Sequence, residues 1–86
     1  KKLIVNADDL GLTEGVTNGI IQAAANGIVT STSAMMNHAT TSADITRARE
    51  TCPQMGIGVH LVLTEGRPLL APEAVPGLVN ENGLFY

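Results

Sequence analysis

Three runs of β-branched and aliphatic residues recur along this chain: KLIVN at 2–6, IVTSTSAMM at 28–36 and IGVHLVL at 57–63. The stretches between them are too long for hairpin turns and carry helical signals instead. In the first, Thr13 is placed to cap a helix with Glu14 in its first turn, and Val16, Ile20, Ala24 and Ile28 recur at four-residue spacing. Asn26-Gly27 predicts a left-handed cap at its end. In the second, Ser42 is the expected cap of SADITRARE, with Asp44 near its start and Arg47 and Arg49 towards its end. Cys52-Pro53 stops it. A β-α-β-α-β order implies an α/β fold with parallel strands and right-handed crossovers. Beyond Thr64, the residues Gly66, Pro68, Pro72, Pro76 and Gly77 predict loop, and no internal repeat is present.

Three parallel strands and two helices cannot close a barrel, and they leave sheet edges open. A (β/α) barrel runs to about 250 residues. Residues 1–86 therefore read as the amino-terminal portion of one larger domain, the start of a TIM-like barrel that is incomplete in this chain. A hydrophobic content of 44% argues against disorder, but with only 2% aromatic residues the core must rest on aliphatic side chains and Met. The single Cys52 excludes an internal disulfide, fits a reducing compartment such as the cytoplasm, and reads as a small buried hydrophobe. A net charge of −3 with scattered Lys and Arg makes no nucleic-acid stripe. No apolar run is long enough to span a bilayer and no signal-peptide pattern opens the chain, so neither nucleic acid nor membrane is an expected partner.

In parallel α/β folds, functional groups gather at the carboxyl ends of the strands. The stretch NADDLGLTEG, residues 6–15, sets Asp8 and Asp9 after the first strand, and His60 falls in the second half of the third. By alternation Ile4, Asn6 and Asp8 share one face, Gly58 and His60 share one face, and Val59, Leu61 and Leu63 point the other way, under the helices. Asp8 and His60 are then expected to converge at the rim. Asp9 has the wrong parity for that face unless the strand ends before it. A carboxylate and an imidazole on neighbouring strands suit a divalent ion such as Zn²⁺, with the second carboxylate left free as a general base. Plainer readings stand beside this one. Paired Asp residues also serve as turn devices that accept backbone N–H bonds, and a lone strand His is often a hydrogen-bonded core residue. His38, in MMNHATT, reads as a solvated loop residue.

Taken together, IVNADDLGLTEGVTNGII and GVHLVLTEGRPL resemble the YdjC-like carbohydrate deacetylases, the family that includes chitooligosaccharide deacetylase. GIVTSTSAMMN and NENGLFY are similar to that family's second strand and to the segment after its HL-LT-G-PL motif. The resemblance implies a distorted (β/α) barrel that uses a divalent metal, Mg²⁺ or Zn²⁺, to remove acetyl groups from N-acetylated sugars or chitooligosaccharides. On it, Asp8 matches the catalytic base, while Asp9 and His60 match metal ligands. Leu10 stands where the family commonly has Phe. A further metal-ligating His belongs to a later motif with no counterpart here, so residues 1–86 alone are expected to bind metal weakly and to be inactive. The resemblance also suggests a homodimer. Arg67, in the loop after the third strand, is a candidate to meet the substrate, although Gly66-Arg67-Pro68 is first of all a turn.

Other readings remain open: a carbohydrate-binding barrel without turnover, a metal-dependent hydrolase of another substrate, and a partner-dependent fragment. The absence of a GxxxxGK loop lowers the case for phosphate esters.

Overall fold

The first strand begins where the apolar run ends. A computed structural model describes residues 1–86 and contains β1 (Asn6–Leu10), α1 (Glu14–Asn26), β2 (Ser31–Met35), α2 (Thr41–Thr51), β3 (Gly56–His60) and a short 3-10 helix at Pro72–Ala74. Leu3 and Ile4 are 73% and 79% exposed, and the ladder starts at Asn6 because its partner, Ser31, opens β2. The predicted strand at 2–6 is thus displaced. A strand is bounded by its pairing partner, whereas hydropathy marks only the apolar residues.

The three strands form one parallel sheet in the order β1-β2-β3. Helix α1 packs against β1 and α2, and α2 packs against both β1 and β2. Leu10, Ala34, Ile20, Ile21, Ala24, Ala48, Cys52 and Met55 form the core between them, with Ala7 and Ile57 packed against it. Because neither helix reaches far over β3, Val59, Leu61 and Leu63 are 65%, 85% and 61% exposed, against the expectation that they would lie beneath helices. Cys52 is buried, as its residue type led one to expect, and its Sγ donates to the Ile21 carbonyl at 3.5 Å. The opposite face of the sheet carries Asn6, Asp8, Ser31 and Ser33 beside the bare backbone of Gly56 and Gly58.

Inside β1 the ladder gains a residue. Ala7 pairs with Thr32 and Leu10 with Ala34, so Asp8 and Asp9 together stand opposite Ser33. This is a β-bulge, which places two residues against one and re-aims side chains locally. Asp9 accommodates it in the left-handed region, at φ 73°, a conformation that Asp tolerates better than most side chains. Parity alone would have ended the strand before Asp9, but it does not end there. It continues to Leu10 with its phase shifted by one residue, and Leu10 keeps its place in the core.

The helix ends agree with the sequence in part. Thr13 caps α1, its side chain accepting from the Val16 N–H at 3.1 Å. Gly27, however, has φ −127° rather than a left-handed φ, and Ile28 is exposed beyond the helix. Glycine is needed there for space, since a Cβ would sit 2.7 Å from the Ala23 carbonyl oxygen. Thr40, not Ser42, precedes α2, and it makes no side-chain capping bond; Cys52 ends the helix. Arg47 ties α2 to α1 through Asn18 at 2.7 Å and pairs with Asp44 at 3.3 Å. No helix is long and apolar enough to cross a membrane.

Candidate active site

The turn after β1 is clasped from two sides. Gly11 has φ 95°, its N–H donates to Thr17 Oγ1 on α1 at 3.1 Å, and a Cβ added to it would collide with Thr41 Oγ1 at the start of α2. Thr41 is itself fixed, donating to the Met35 carbonyl at the end of β2 at 2.6 Å. The two buried threonines and the glycine thus lock the DDLG turn against both helices.

The bulge sends the two carboxylates to different neighbours. Asp9 Oδ1 lies 3.0 Å from His60 Nδ1, with both side chains partly exposed. His60 is the last residue of β3, so strand and bulge bring the pair to the carboxyl edge of the sheet. Although close, the two atoms are not aligned as a hydrogen bond, and Nδ1 is a buried ring nitrogen without a hydrogen-bond partner. An oxygen and a nitrogen that approach without pointing at each other are free to direct lone pairs at a common third point, as two ligands of one ion do. No group of three or more His, Cys, Asp or Glu side chains converges on such a point.

Asp8 turns the other way. Its Oδ1 accepts from Ser33 Oγ at 2.7 Å and from Asn6 Nδ2 at 2.8 Å. The contact with His60 expected of Asp8 is made by Asp9 instead, because alternation alone assigns the faces wrongly across a bulge. A cleft of about 310 Å³ opens beside the Asp9–His60 pair, walled by Leu12, Met35, Thr64 and Glu65 among others.

Arg67 is drawn away from this cleft. Its guanidinium donates to the Asn82 carbonyl at 3.5 Å and bears on the turn at Gly83. The loop that carries it is pinned by Asn37, whose side-chain amide donates to the carbonyls of Glu65 at 2.8 Å and Arg67 at 3.1 Å. His38 is not the fully solvated residue expected: its Nε2 is buried against Gly66 and lacks a hydrogen-bond partner. Ser33 is the site residue that sequence reasoning missed. The available signal was the STS pattern of β2, which puts two hydroxyls on one face beside Asn6 and Asp8.

The YdjC-like protein family model matches residues 2–86. The chain belongs to the YdjC-like family. A carbohydrate deacetylase of Thermoanaerobacter pseudethanolicus is 47% identical over 85 residues, covering 99% of this chain and 34% of its own. A chitooligosaccharide deacetylase of Klebsiella pneumoniae is 49% identical over 82 residues, covering 95% of this chain and 31% of its own. A crystal structure from Enterococcus faecalis, of a protein described as a candidate for cellobiose-phosphate cleavage, superposes with a TM-score of 0.94 at 48% identity. It covers 100% of this chain and 34% of that one. The chain thus spans about a third of the length of these relatives.

Proposed function

We propose that this segment carries the amino-terminal part of the active site of a metal-dependent carbohydrate N-deacetylase acting on N-acetylated sugars or chitooligosaccharides. The observation behind the reading is the division of labour at the bulge: one carboxylate sits against His60, while its neighbour is held apart by uncharged donors. The names of the relatives, carbohydrate deacetylase and chitooligosaccharide deacetylase, support the substrate class. We assign Asp9 and His60 to hold the ion. An oxygen and an imidazole nitrogen suit Zn²⁺ and related transition ions better than Mg²⁺, which prefers oxygen.

When bound, a divalent ion supplies polarisation of the acetamide carbonyl and a more acidic water. Asp8 presents its second carboxylate oxygen to take the proton of the attacking water. The water oxygen then bonds to the acetyl carbon, the C–N bond breaks, and the departing amine gains a proton. We assign that proton's donor and the remaining metal ligand to the part of the relatives' length that this chain does not span, and the segment alone is then inactive. The open face carrying Asn6, Asp8, Ser31 and Ser33 would line the inside of a TIM-like barrel. Arg67, turned to Asn82, is retained only as a rim residue towards the sugar.

A second reading takes up the description of the Enterococcus faecalis structure, cleavage of cellobiose phosphate. Glycosidic cleavage by paired carboxylates needs them on either side of the scissile bond, about 5 Å or more apart. Here adjacent residues of one strand carry them, and Asp9 is engaged by His60. That favours the deacetylase. The deciding experiment is acetate release from N,N′-diacetylchitobiose by the full-length protein, with chelator and after metal is returned. Acetate that stops with chelator and resumes with one divalent ion is the expected result. Metal-loaded protein that releases no acetate from this or longer chitooligosaccharides, or that releases glucose from a phosphorylated disaccharide, would overturn it.

A further inference from the structure

Among the carboxylates of this chain, Asp8 alone accepts hydrogen bonds from two uncharged side chains. Its donors come from alternate positions on two adjacent strands. Asn6 and Asp8 are two apart on β1, Ser31 and Ser33 two apart on β2, and the register sets Asn6 beside Ser31. Ser31 Oγ donates to Asn6 Oδ1 at 2.8 Å, Asn6 Nδ2 donates to Asp8 Oδ1 at 2.8 Å, and Ser33 Oγ donates to the same oxygen at 2.7 Å. The chain of bonds runs in one direction, every proton pointing towards Asp8. The Asp8 carboxylate, which only accepts, settles the Asn6 amide: its NH2 must face Asp8, which leaves its oxygen to take the Ser31 hydroxyl. The neighbouring hydroxyls behave differently: Thr30, Thr32 and Thr41 donate to backbone carbonyls and so bind strands and turns together. Ser33 and Ser31 donate to side chains on the open face, where hydrogen bonds add little to the stability of the fold.

We propose that Ser33 and Asn6 are positioning residues for Asp8, holding one carboxylate oxygen so that the other stays free and Asp8 does not swing towards the Asp9–His60 pair. The inference rests on the reading of Asp8 as the base. It makes the STS segment of β2 part of the catalytic machinery, through Asp8 and without contact with substrate.

The test compares Ser33→Ala, Ser33→Thr, Asn6→Ala and Asp8→Asn in the full-length protein. Steady-state acetate release from N,N′-diacetylchitobiose, metal content and the thermal midpoint are measured for each. Ser33→Ala is expected to lower kcat by about tenfold to a hundredfold, the scale of a misplaced catalytic group. KM, metal content and thermal midpoint stay as in the parent. Ser33→Thr, which keeps the hydroxyl on a strand-compatible side chain, restores kcat, and Asn6→Ala acts in the same direction as Ser33→Ala. Parental kcat in both Ser33→Ala and Asn6→Ala, with Asp8→Asn inactive, overturns the positioning role and leaves the base reading standing. An active Asp8→Asn overturns both. Loss of metal and thermal midpoint along with kcat, unrepaired by Ser33→Thr, makes Ser33 a purely structural residue and overturns the proposal.

Discussion

At the scale of single residues, two adjacent carboxylates are distinguished by backbone more than by chemistry. Asp9 occupies a left-handed conformation at φ 73°, which costs a side chain with a Cβ about 1 kcal/mol. Asn shares the tolerance of Asp for that region but forfeits the charge. Asp9→Asn is therefore expected to leave the thermal midpoint nearly unchanged while weakening metal binding at least tenfold. His60→Ala should weaken it similarly, as measured by titration calorimetry on the full-length protein. Unchanged affinity in both would remove the pair from the metal site. The sequence made the two residue types and their strand-end setting legible, and with His60 they pointed to a metal. Alternation alone set Asp8 rather than Asp9 beside His60, whereas the family resemblance had already matched Asp9 with His60. Alternation counts residues, and a bulge adds one without any change of composition to announce it.

At the scale of elements, glycine positions with different surroundings make the clasp of the DDLG turn testable. Gly11 has positive φ and no space for a Cβ beside Thr41, whereas Gly19, within α1, has nothing within 4 Å. Gly11→Ala should destabilise the protein by about 2 kcal/mol or more and lower activity with it, since the turn fixes the bulge. Gly19→Ala should stabilise by about 0.5–1 kcal/mol through helix propensity, with activity unchanged. Chemical denaturation of both variants checks the pair, and a neutral Gly11→Ala would show that the threonine clasp is dispensable. The helices were readable because Thr13 and Cys52-Pro53 act locally, at the positions where they stand. Strand ends were not. Asn6 joins β1 because Ser31 lies beside it, a contact between residues 25 apart that no local window contains.

At the scale of the whole molecule, the sheet has two open edges, and its third strand is covered little by helix beyond Ile57. Leu61, Leu63, Leu69 and Leu70 stand exposed along that side, with Leu3 and Ile4 exposed at the start of the chain. Apolar side chains beside unpaired strand edges invite association. Residues 1–86 expressed by themselves are expected to self-associate as their concentration rises, in sedimentation or size-exclusion measurements. A monodisperse, cooperatively folding monomer would show that the exposed side needs no cover.

The bulge in β1 also separates folding from chemistry in an unusual way. Without Asp9, Ala7 would still face Thr32, Asp8 would face Ser33 and Leu10 would face Ala34, which is an uninterrupted ladder. The strand ladder itself does not need the second aspartate, whose carbonyl accepts the Leu12 N–H of the turn at 3.1 Å, and excising a single codon would leave a more regular strand. The resulting protein should melt no lower than its parent and bind metal poorly, a combination that substitutions in a packed site seldom produce.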